Sequence, residues 1–456
     1  MVTATPREIE ELLDGVLRVS TAGATEALYL AQDSALTRFA TNRIHQSVRE
    51  HDATLQVRVI DDDRIGVAST NLLDEGGIRD VVERAVAIAE RSAPNPRAAV
   101  MPEPDGREHD PDLGYVAATG EASADRRAEG ARAVIAAGEA KGLQSSGSFS
   151  TSVMTVAVAN SHGIRSRHRS TRAALLTVMM DGFASGAASG YAHAGAADVA
   201  DIDAEALGRE AADKGDAMRG AGELEPGEYE VILEEYAVAG LMEYLAYIGF
   251  SGLAYEEGRS FMELGKRLMG EDVSIWDDGS DPAGMPSAID FEGVARKRVD
   301  LVARGVANAV VHDAATGARA GTGSTGHGLP APNLLGPMPL NLFMAPGAVP
   351  RDELIAGVKR GVWVTRFHYI NPVHPKKAIL TGMTKDGTFL IEDGRLSRPL
   401  MNFRFTQAIP EAFSDVRGLS DDSKLLPGEF IGSYRVPAMH LGSFNFTGVT
   451  AAEGGE

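Results

Sequence analysis

The spacing of apolar residues changes twice in the N-terminal part of the chain. An apolar stripe from Leu12 to Leu17 follows Thr5 and Pro6, which predicts a capped first helix with proline in its first turn. From Ala27 to Asn71 apolar residues tend to occupy alternate positions, and Asp61-Asp62-Asp63 interrupts them as a hairpin turn does. This region therefore predicts three or four antiparallel strands.

Helical spacing returns at Asp74 and then alternates with further strand patterns. The apolar stripe after Asp74 predicts an amphipathic helix, which Pro94 and Pro96 prevent from continuing. The same reasoning predicts helices over Ala122–Lys141 and Asp203–Met218, and strands over Met154–Ala159 and Ala173–Met180.

A change in composition divides the chain into two predicted domains. The segment Gly220–Gly227 contains three glycines, Pro226 and acidic residues, and an apolar run begins again at Val231. We place the boundary in this segment. The N-terminal domain then covers residues 1–222 and the C-terminal domain covers residues 223–456.

The two domains differ in their patterns. The C-terminal part carries short strand-like runs, such as Trp363–Thr365 and Phe389–Ile391, that are separated by glycine and proline. The predicted fold class is therefore α+β. It consists of an N-terminal α/β domain with an antiparallel sheet and amphipathic helices, followed by a mainly antiparallel, barrel-like β domain.

Composition narrows the classes of function. The chain has 44 Lys and Arg against 64 Asp and Glu, and its formal charge of -20 repels phosphate backbones, so we expect no nucleic acid partner. The absence of cysteine leaves His, Asp and Glu as the side chains that would hold a metal. No stretch approaches the ~18 uninterrupted apolar residues of a membrane helix, and the N-terminus has no apolar leader. We therefore expect a cytoplasmic protein without a membrane partner.

Several segments resemble the TldD/PmbA family, and together they span nearly the whole chain. The resemblance is stronger in the C-terminal part than in the N-terminal part. The C-terminal segments are Asp277-Asp278, Asp281-Pro282, Asp290–Val294, Ser324–His327, Val364–Asn371, Leu380–Phe389, Met401–Gln407 and Phe444–Thr447, and the N-terminal ones are Arg38–Ala40, Val57–Val59, Gly66–Asn71 and Ala159–Gly163.

The chain departs from the family at the metal site. Catalytic members of the family hold zinc through two histidines of an H-E-x-x-x-H helix and a distant cysteine. If Ala239-Gly240-Leu241-Met242 precedes the motif and Gly249 follows it, Glu243 and Ile248 occupy the histidine positions and Tyr244 occupies the base position. A catalytic zinc needs three protein donors and an open position for water. Because the isoleucine has no lone pair and cysteine is absent, we expect neither metal ligands nor catalytic residues in this chain.

The same departure is typical of PmbA-like, or TldE-like, members, which pair with the catalytic subunit as a heterodimer. The resemblance therefore implies that this chain is the subunit without zinc, and that a TldD-like partner supplies the metal. It also implies that the two subunits enclose a channel for unfolded or flexible peptides. When isolated, such a chain is also a candidate homodimer.

Four side chains in the family-like segments are candidates for contact with a peptide. Asn371, Arg404 and Asn445 can hydrogen-bond an extended backbone, and arginine can also bind a carboxylate through two parallel bonds. His327 is the fourth candidate. The alternative for each is a structural role, since most side-chain hydrogen bonds go to backbone or water.

Three glutamates near the family's metal motif raise the question of acid–base chemistry. Glu235 and Glu243 lie two helical turns apart, and Glu234 precedes them. We assign all three to a solvated or interface face of a helix.

Two other functions stay open at this point. The chain would be a peptidase by itself if His327, His368 and His440 met within ~2.1 Å of one point, the distance of a zinc–nitrogen bond. It would be a non-catalytic peptide-binding scaffold if it bound peptides without a TldD-like partner.

Overall fold

The N-terminal part is a six-stranded antiparallel sheet in the order β3-β2-β1-β4-β5-β6. The structure is a computed structural model, and it describes residues 4–182, 188–428 and 432–449. The helices of this part are α1 (Pro6–Val19), α2 (Glu75–Arg91), α3 (Ala117–Gly120), α4 (Ala124–Ala140) and α5 (Ala204–Ala217), with a short 3-10 helix at Val199–Asp201. The strands are β1 (Ala24–Ala40), β2 (Arg43–Asp61), β3 (Arg64–Thr70), β4 (Gln144–Asn160), β5 (Arg165–Met180) and β6 (Ser189–Ala196).

Local sequence sets the ends of several of these elements, as predicted. The Thr5 side chain accepts a hydrogen bond from the Glu8 backbone, and the Glu8 carboxylate accepts one from the Thr5 backbone, which forms a capping box for α1. The Asp74 side chain caps α2 by accepting a hydrogen bond from the backbone N–H of Gly77. In the turn between β2 and β3, Asp62 and Asp63 have φ angles of 48° and 59°, a conformation that aspartate tolerates in tight hairpins.

The two faces of this sheet are covered by different parts of the chain. Helices α1 and α2 pack against Tyr29, and α4 and α5 pack against Phe149 further along the same face. On the opposite face, Leu28 and Val158 contact Ile289 of the C-terminal part. Because side chains alternate across a strand, one sheet thus packs against helices on one face and against the C-terminal part on the other.

The C-terminal part contains two further sheets and a buried helix. The helices are α6 (Glu235–Gly249), α7 (Gly252–Glu256), α8 (Ala314–Ala320), α9 (Arg351–Leu354) and α10 (Ile409–Ala412), with 3-10 helices at Pro375–Lys377 and Phe413–Asp415. The strands are β7 (Gly227–Leu233), β8 (Ile275–Asp277), β9 (Val299–Ala303), β10 (Val306–Ala307), β11 (Asn341–Met344), β12 (Arg360–His374), β13 (Ile379–Glu392), β14 (Arg395–Pro399), β15 (Phe403–Ala408), β16 (Val416–Leu419), β17 (Lys424–Pro427), β18 (Ser433–Val436) and β19 (Met439–Val449).

Strand pairing in the C-terminal part is mainly antiparallel. One sheet has the order β10-β9-β8-β11-β18-β17, and the other has the order β12-β7-β19-β15-β13-β14. Strand β12 also pairs with β13, so β12, β7, β19, β15 and β13 form a continuous circuit of hydrogen-bonded neighbours. The exceptions to antiparallel pairing are β12 with β7 and β11 with β18.

Phenylalanine side chains form the centre of the C-terminal core. They belong to β12, β15 and β19, and their rings contact one another in a cluster that also includes the buried side of α6. The members of this cluster are Phe367, Phe403, Phe405, Phe444 and Phe446. This core fixes the position of α6, the helix that carries Glu243, Tyr244 and Ile248, to which the resemblance assigns the metal motif.

The predicted α+β fold class is confirmed, with helices on an antiparallel sheet in the N-terminal part and mainly antiparallel strands in the C-terminal part. The predicted boundary at residue 222 falls in the connection between α5 and β7. Within the described residues, every helix is too short or too polar to cross a membrane.

Candidate functional site

Helix α6 carries the positions that the resemblance assigns to zinc ligands. Glu243 and Ile248 are 7% and 4% exposed, and Tyr244 packs half-buried against the core. Burial and the Glu243 carboxylate, which accepts a hydrogen bond from Tyr434, raise the pKa of Tyr434 well above its ordinary value. A tyrosine-bound carboxylate, a phenol and a hydrocarbon therefore occupy these positions, and they do not fit a catalytic zinc.

Histidine and carboxylate side chains elsewhere in the chain are the other possible metal donors. No histidine in the sequence is followed by glutamate, so the motif is not shifted to another segment. Within residues 4–182, 188–428 and 432–449, no three His, Asp or Glu side chains gather as a metal site requires.

The three histidines of the alternative ligand set do not form a metal group. His327 Nε2 bonds the Asp277 carboxylate at 2.8 Å, whereas His440 Nε2 bonds Glu230 at 2.7 Å. The ring of His368 packs against Tyr369 on β12. The hypothesis that these imidazoles converge on zinc is therefore wrong for this structure.

His327 lies in a buried chain of hydrogen bonds. Its Nε2 faces Asp277 Oδ1 and its Nδ1 faces the Thr325 hydroxyl, each at 2.8 Å. The other Asp277 oxygen accepts from the backbone N–H of Asn341 at 2.6 Å. Burial opposes ionisation of Asp277, but His327 and Arg296 outweigh it and lower the pKa of this carboxyl. His327 is 0% exposed, and both of its ring nitrogens form hydrogen bonds. Its side chain is therefore not accessible for the peptide contact that the sequence predicts.

A second buried ionic group joins the N-terminal sheet to the C-terminal part. Arg58 of β2 donates to both oxygens of Glu26 on β1, at 3.0 and 2.7 Å, and lies 3.3 Å from Glu292. Glu292 also accepts from the backbone N–H of Ala314 at 2.8 Å. Burial raises the pKa of Glu292, although Arg58 opposes that effect. The sequence signal for this group is an arginine between two core valines within Val57–Val59.

The glutamates before and at the start of α6 are internal. Glu234 and Glu235 are 1% and 0% exposed, which corrects their assignment to a solvated or interface face. Glu234 accepts hydrogen bonds from Lys214 of α5 and Trp363 of β12, both at 2.6 Å. Arg351 of α9 lies 2.9 Å from Glu235. These cations allow the carboxylates to be buried, which a sequence pattern does not reveal.

The other three predicted peptide contacts lie on one outer surface of the C-terminal sheet. Asn371 and Arg404 are exposed, and the half-buried Asn445 donates its amide to the Thr406 carbonyl at 3.1 Å. Strand pairing aligns Asn371 with Thr381 and Thr381 with Thr406, which Asn445 also bonds and which lies two residues from Arg404 on β15. Their contact with a peptide stays a prediction.

His168 links β5 to the C-terminal part. It is 2% exposed, and its Nε2 lies 3.4 Å from the carbonyl oxygen of Pro286. Burial lowers the pKa of His168 to about 4, with the carbonyl opposing and the charges of His109 and Arg296 adding to the effect. The imidazole is therefore neutral at physiological pH.

This shift predicts an acid-induced loss of stability. The pKa of His168 in the folded protein lies below its unfolded value of about 6.5. The contribution of the neutral, buried imidazole to the free energy of unfolding is therefore complete above pH 6.5 and is lost as the pH falls toward 4. We expect the stability difference between wild type and His168→Asn to shrink by about 2–3 kcal/mol over this range. Urea unfolding at a series of pH values measures it, and a constant difference would contradict the assignment.

Three metallopeptidase domain models define the class of protein to which this fold belongs. The PmbA/TldA metallopeptidase domain 1 matches residues 25–89, the central domain matches 118–219 and the C-terminal domain matches 226–448. The matches follow one another along the chain and leave residues 90–117 and 220–225 between them. The chain belongs to the PmbA/TldD family.

Known relatives agree with this assignment. A metalloprotease of Methanothermobacter thermautotrophicus is 26% identical over 277 residues, which is 58% of this chain and 60% of that relative. A metalloprotease PmbA homolog of Haemophilus influenzae is 22% identical over 92% of this chain and 93% of its own length. The crystal structure of TldE from Thermococcus kodakarensis, at 21% identity, shares the fold with a TM-score of 0.87 over 97% of this chain and 100% of that one.

Proposed function

We propose that this chain is the PmbA/TldE-like subunit of a TldD/TldE-type zinc metallopeptidase complex that processes or degrades unfolded peptides. In this proposal a TldD-like subunit supplies the zinc and the catalytic groups, and this chain binds no metal itself. It acts in the cytoplasm, without nucleic acid or membrane partners, and it helps to enclose the peptide channel.

The composition of α6 carries the proposal. The family's zinc chemistry requires lone pairs at two positions five residues apart on one helix, and the resemblance places Glu243 at the first and Ile248 at the second. The isoleucine is buried in a hydrophobic core that also holds Phe250 and Leu245, so a polar ligand there would disturb packing. The fold is nevertheless retained in full, which suits a subunit that contributes shape instead of a metal.

Reconstitution with the TldD-like protein from the same source tests the proposal. Each protein is purified alone and after co-expression, and cleavage of an unstructured substrate such as casein is measured with and without a chelator. We expect chelator-sensitive cleavage by the co-purified pair and none by this chain alone. Cleavage should require the partner, because only the partner is expected to hold the metal.

Two variants sharpen this test. Changing a zinc-binding histidine of the partner should abolish cleavage, whereas Glu243→Gln in this chain, which keeps the size and an acceptor for Tyr434, should leave it intact. Chelator-sensitive cleavage by this chain in a preparation free of the partner would overturn the proposal. Peptide binding by a homodimer with no effect on the partner's activity would instead favour a scaffold.

A further inference from the structure

A cavity of about 330 Å³ lies between the N-terminal sheet and the C-terminal part. Its floor is a grid of side chains on three adjacent strands, in which Met154 pairs with Gln32 on one side and with Ser170 on the other. Next to them Ser152 pairs with Arg172. The opposite wall includes Met285, Phe291, Leu340 and Asn341. Its volume is within the range of small-molecule sites.

The charge of this cavity is opposite to that of the chain. The protein has 64 acidic residues and a formal charge of -20, yet no carboxylate is among the described residues that line the cavity. Arg172 donates to the carbonyl of Gly432 at 3.3 Å and forms no ion pair with a described acidic side chain. His168 also lines the cavity and is neutral, because burial lowers its pKa to about 4. Arg172 therefore provides the cationic group of the cavity.

An arginine in this environment favours an anionic ligand. Burial lowers the pKa of Arg172, and no acidic side chain among the described residues opposes that effect. Burying a charge without a partner is costly, and a carboxylate that forms two parallel bonds with the guanidinium removes much of that cost.

A second polar side chain in the cavity, Asn341, indicates which other group the ligand carries besides its anionic one. Asn341 is 3% exposed, and its Nδ2 donates to the Met285 carbonyl at 2.7 Å, whereas its Oδ1 has no hydrogen-bond partner. This oxygen accepts hydrogen bonds and so suits an N–H group of a ligand. The apolar side chains of Met154, Val156 and Phe291 surround the remaining space. The complementary ligand thus combines a carboxylate, an amide N–H and an apolar side chain.

We propose that this cavity binds the free C-terminal carboxylate of a short peptide, with Arg172 on the carboxylate and Asn341 Oδ1 on a peptide N–H. The choice of a peptide among carboxylates rests on the proposed function. The inference adds a recognition site on this subunit for peptide ends, and it makes a terminal carboxylate part of the substrate specificity.

Binding to the isolated full-length chain tests this site. N-acetyl-Ala-Leu with a free carboxylate and the same dipeptide as its C-terminal amide are compared by isothermal titration calorimetry. We expect the acid to bind at least about tenfold more tightly, because only the acid forms charge-assisted bonds with Arg172. Arg172→Gln should remove this preference. Arg169→Gln, on the same strand where Arg169 bonds Asp112 at 3.1 Å, should retain it.

Three results would overturn the proposal: equal affinity for acid and amide, no binding of either, or an unchanged preference in Arg172→Gln. The acid–amide comparison uses the wild-type chain and so does not depend on whether a variant folds, and thermal unfolding checks each variant. A negative result in this binding experiment would not contradict the proposed function, because the zinc content of the partner and the cleavage assay test that function separately.

Discussion

Replacing Arg58 by methionine should lower the free energy of unfolding by about 3–5 kcal/mol. Arg58 is 8% exposed and forms two hydrogen bonds with Glu26, which is itself 4% exposed. Methionine fills much of the same volume but leaves that carboxylate buried without its partner, and this is the costly outcome for a buried ion pair. Urea unfolding of the purified variant measures the loss.

The same two strands offer a matched control for Arg58. Arg49 of β2 also bonds both oxygens of an acid on β1, Asp33, at 2.8 and 2.6 Å, but its side chain is 60% exposed. Arg49→Met should therefore cost about 0–1 kcal/mol, since solvent screens the pair. Similar losses in the two variants would show that burial does not decide the stability of this junction.

Truncating Phe405 to alanine should cost about 3–5 kcal/mol. Phe405 is 0% exposed, and its ring centroid lies 4.5 Å from that of Phe367 and 5.3 Å from that of Phe444. The variant loses apolar burial and leaves a cavity among rings from three different strands, which neighbouring side chains refill only in part. The midpoint of thermal or urea unfolding gives the measured change.

The neighbouring residue Arg404 is the control for Phe405. It lies on the same strand with its side chain on the opposite, exposed side, so Arg404→Ala should change stability by less than about 0.5 kcal/mol. The control also leaves a folded protein in which the predicted role of Arg404 in peptide contact can be measured. Equal destabilisation by the two substitutions would contradict the inward orientation of Phe405.

The sequence predicts elements best where one face is strictly apolar. The apolar stripe after Asp74 predicts α2, and the helix predicted over Asp203–Met218 is observed at Ala204–Ala217. In contrast, β4 runs from Gln144 to Asn160, whereas the pattern predicts only Met154–Ala159. Its first half carries five serines and a glycine among nine residues, so the apolar alternation that marks a strand is missing there.

For the candidate site, too, the sequence reveals some features and not others. The predicted substitutions at Glu243, Tyr244 and Ile248 can be read from the sequence because the positions that the resemblance assigns to the metal motif are contiguous along one helix. The partners of buried charges are not visible, because Arg58 and Glu26 lie 32 residues apart and His327 and Asp277 lie 50 residues apart. Only the tertiary fold shows that His327 is enclosed by its hydrogen bonds and not offered to substrate.

Zinc content, measured by elemental mass spectrometry, tests most directly whether α6 has lost its metal. We predict that the isolated chain, purified without added metal, contains far less than one zinc per molecule, and that the complex with a TldD-like partner contains about one per heterodimer. The chemical reason is that Ile248 has no donor atom and Glu243 alone does not make a catalytic site. Stoichiometric zinc in the isolated chain, lost in Glu243→Gln, would contradict this prediction.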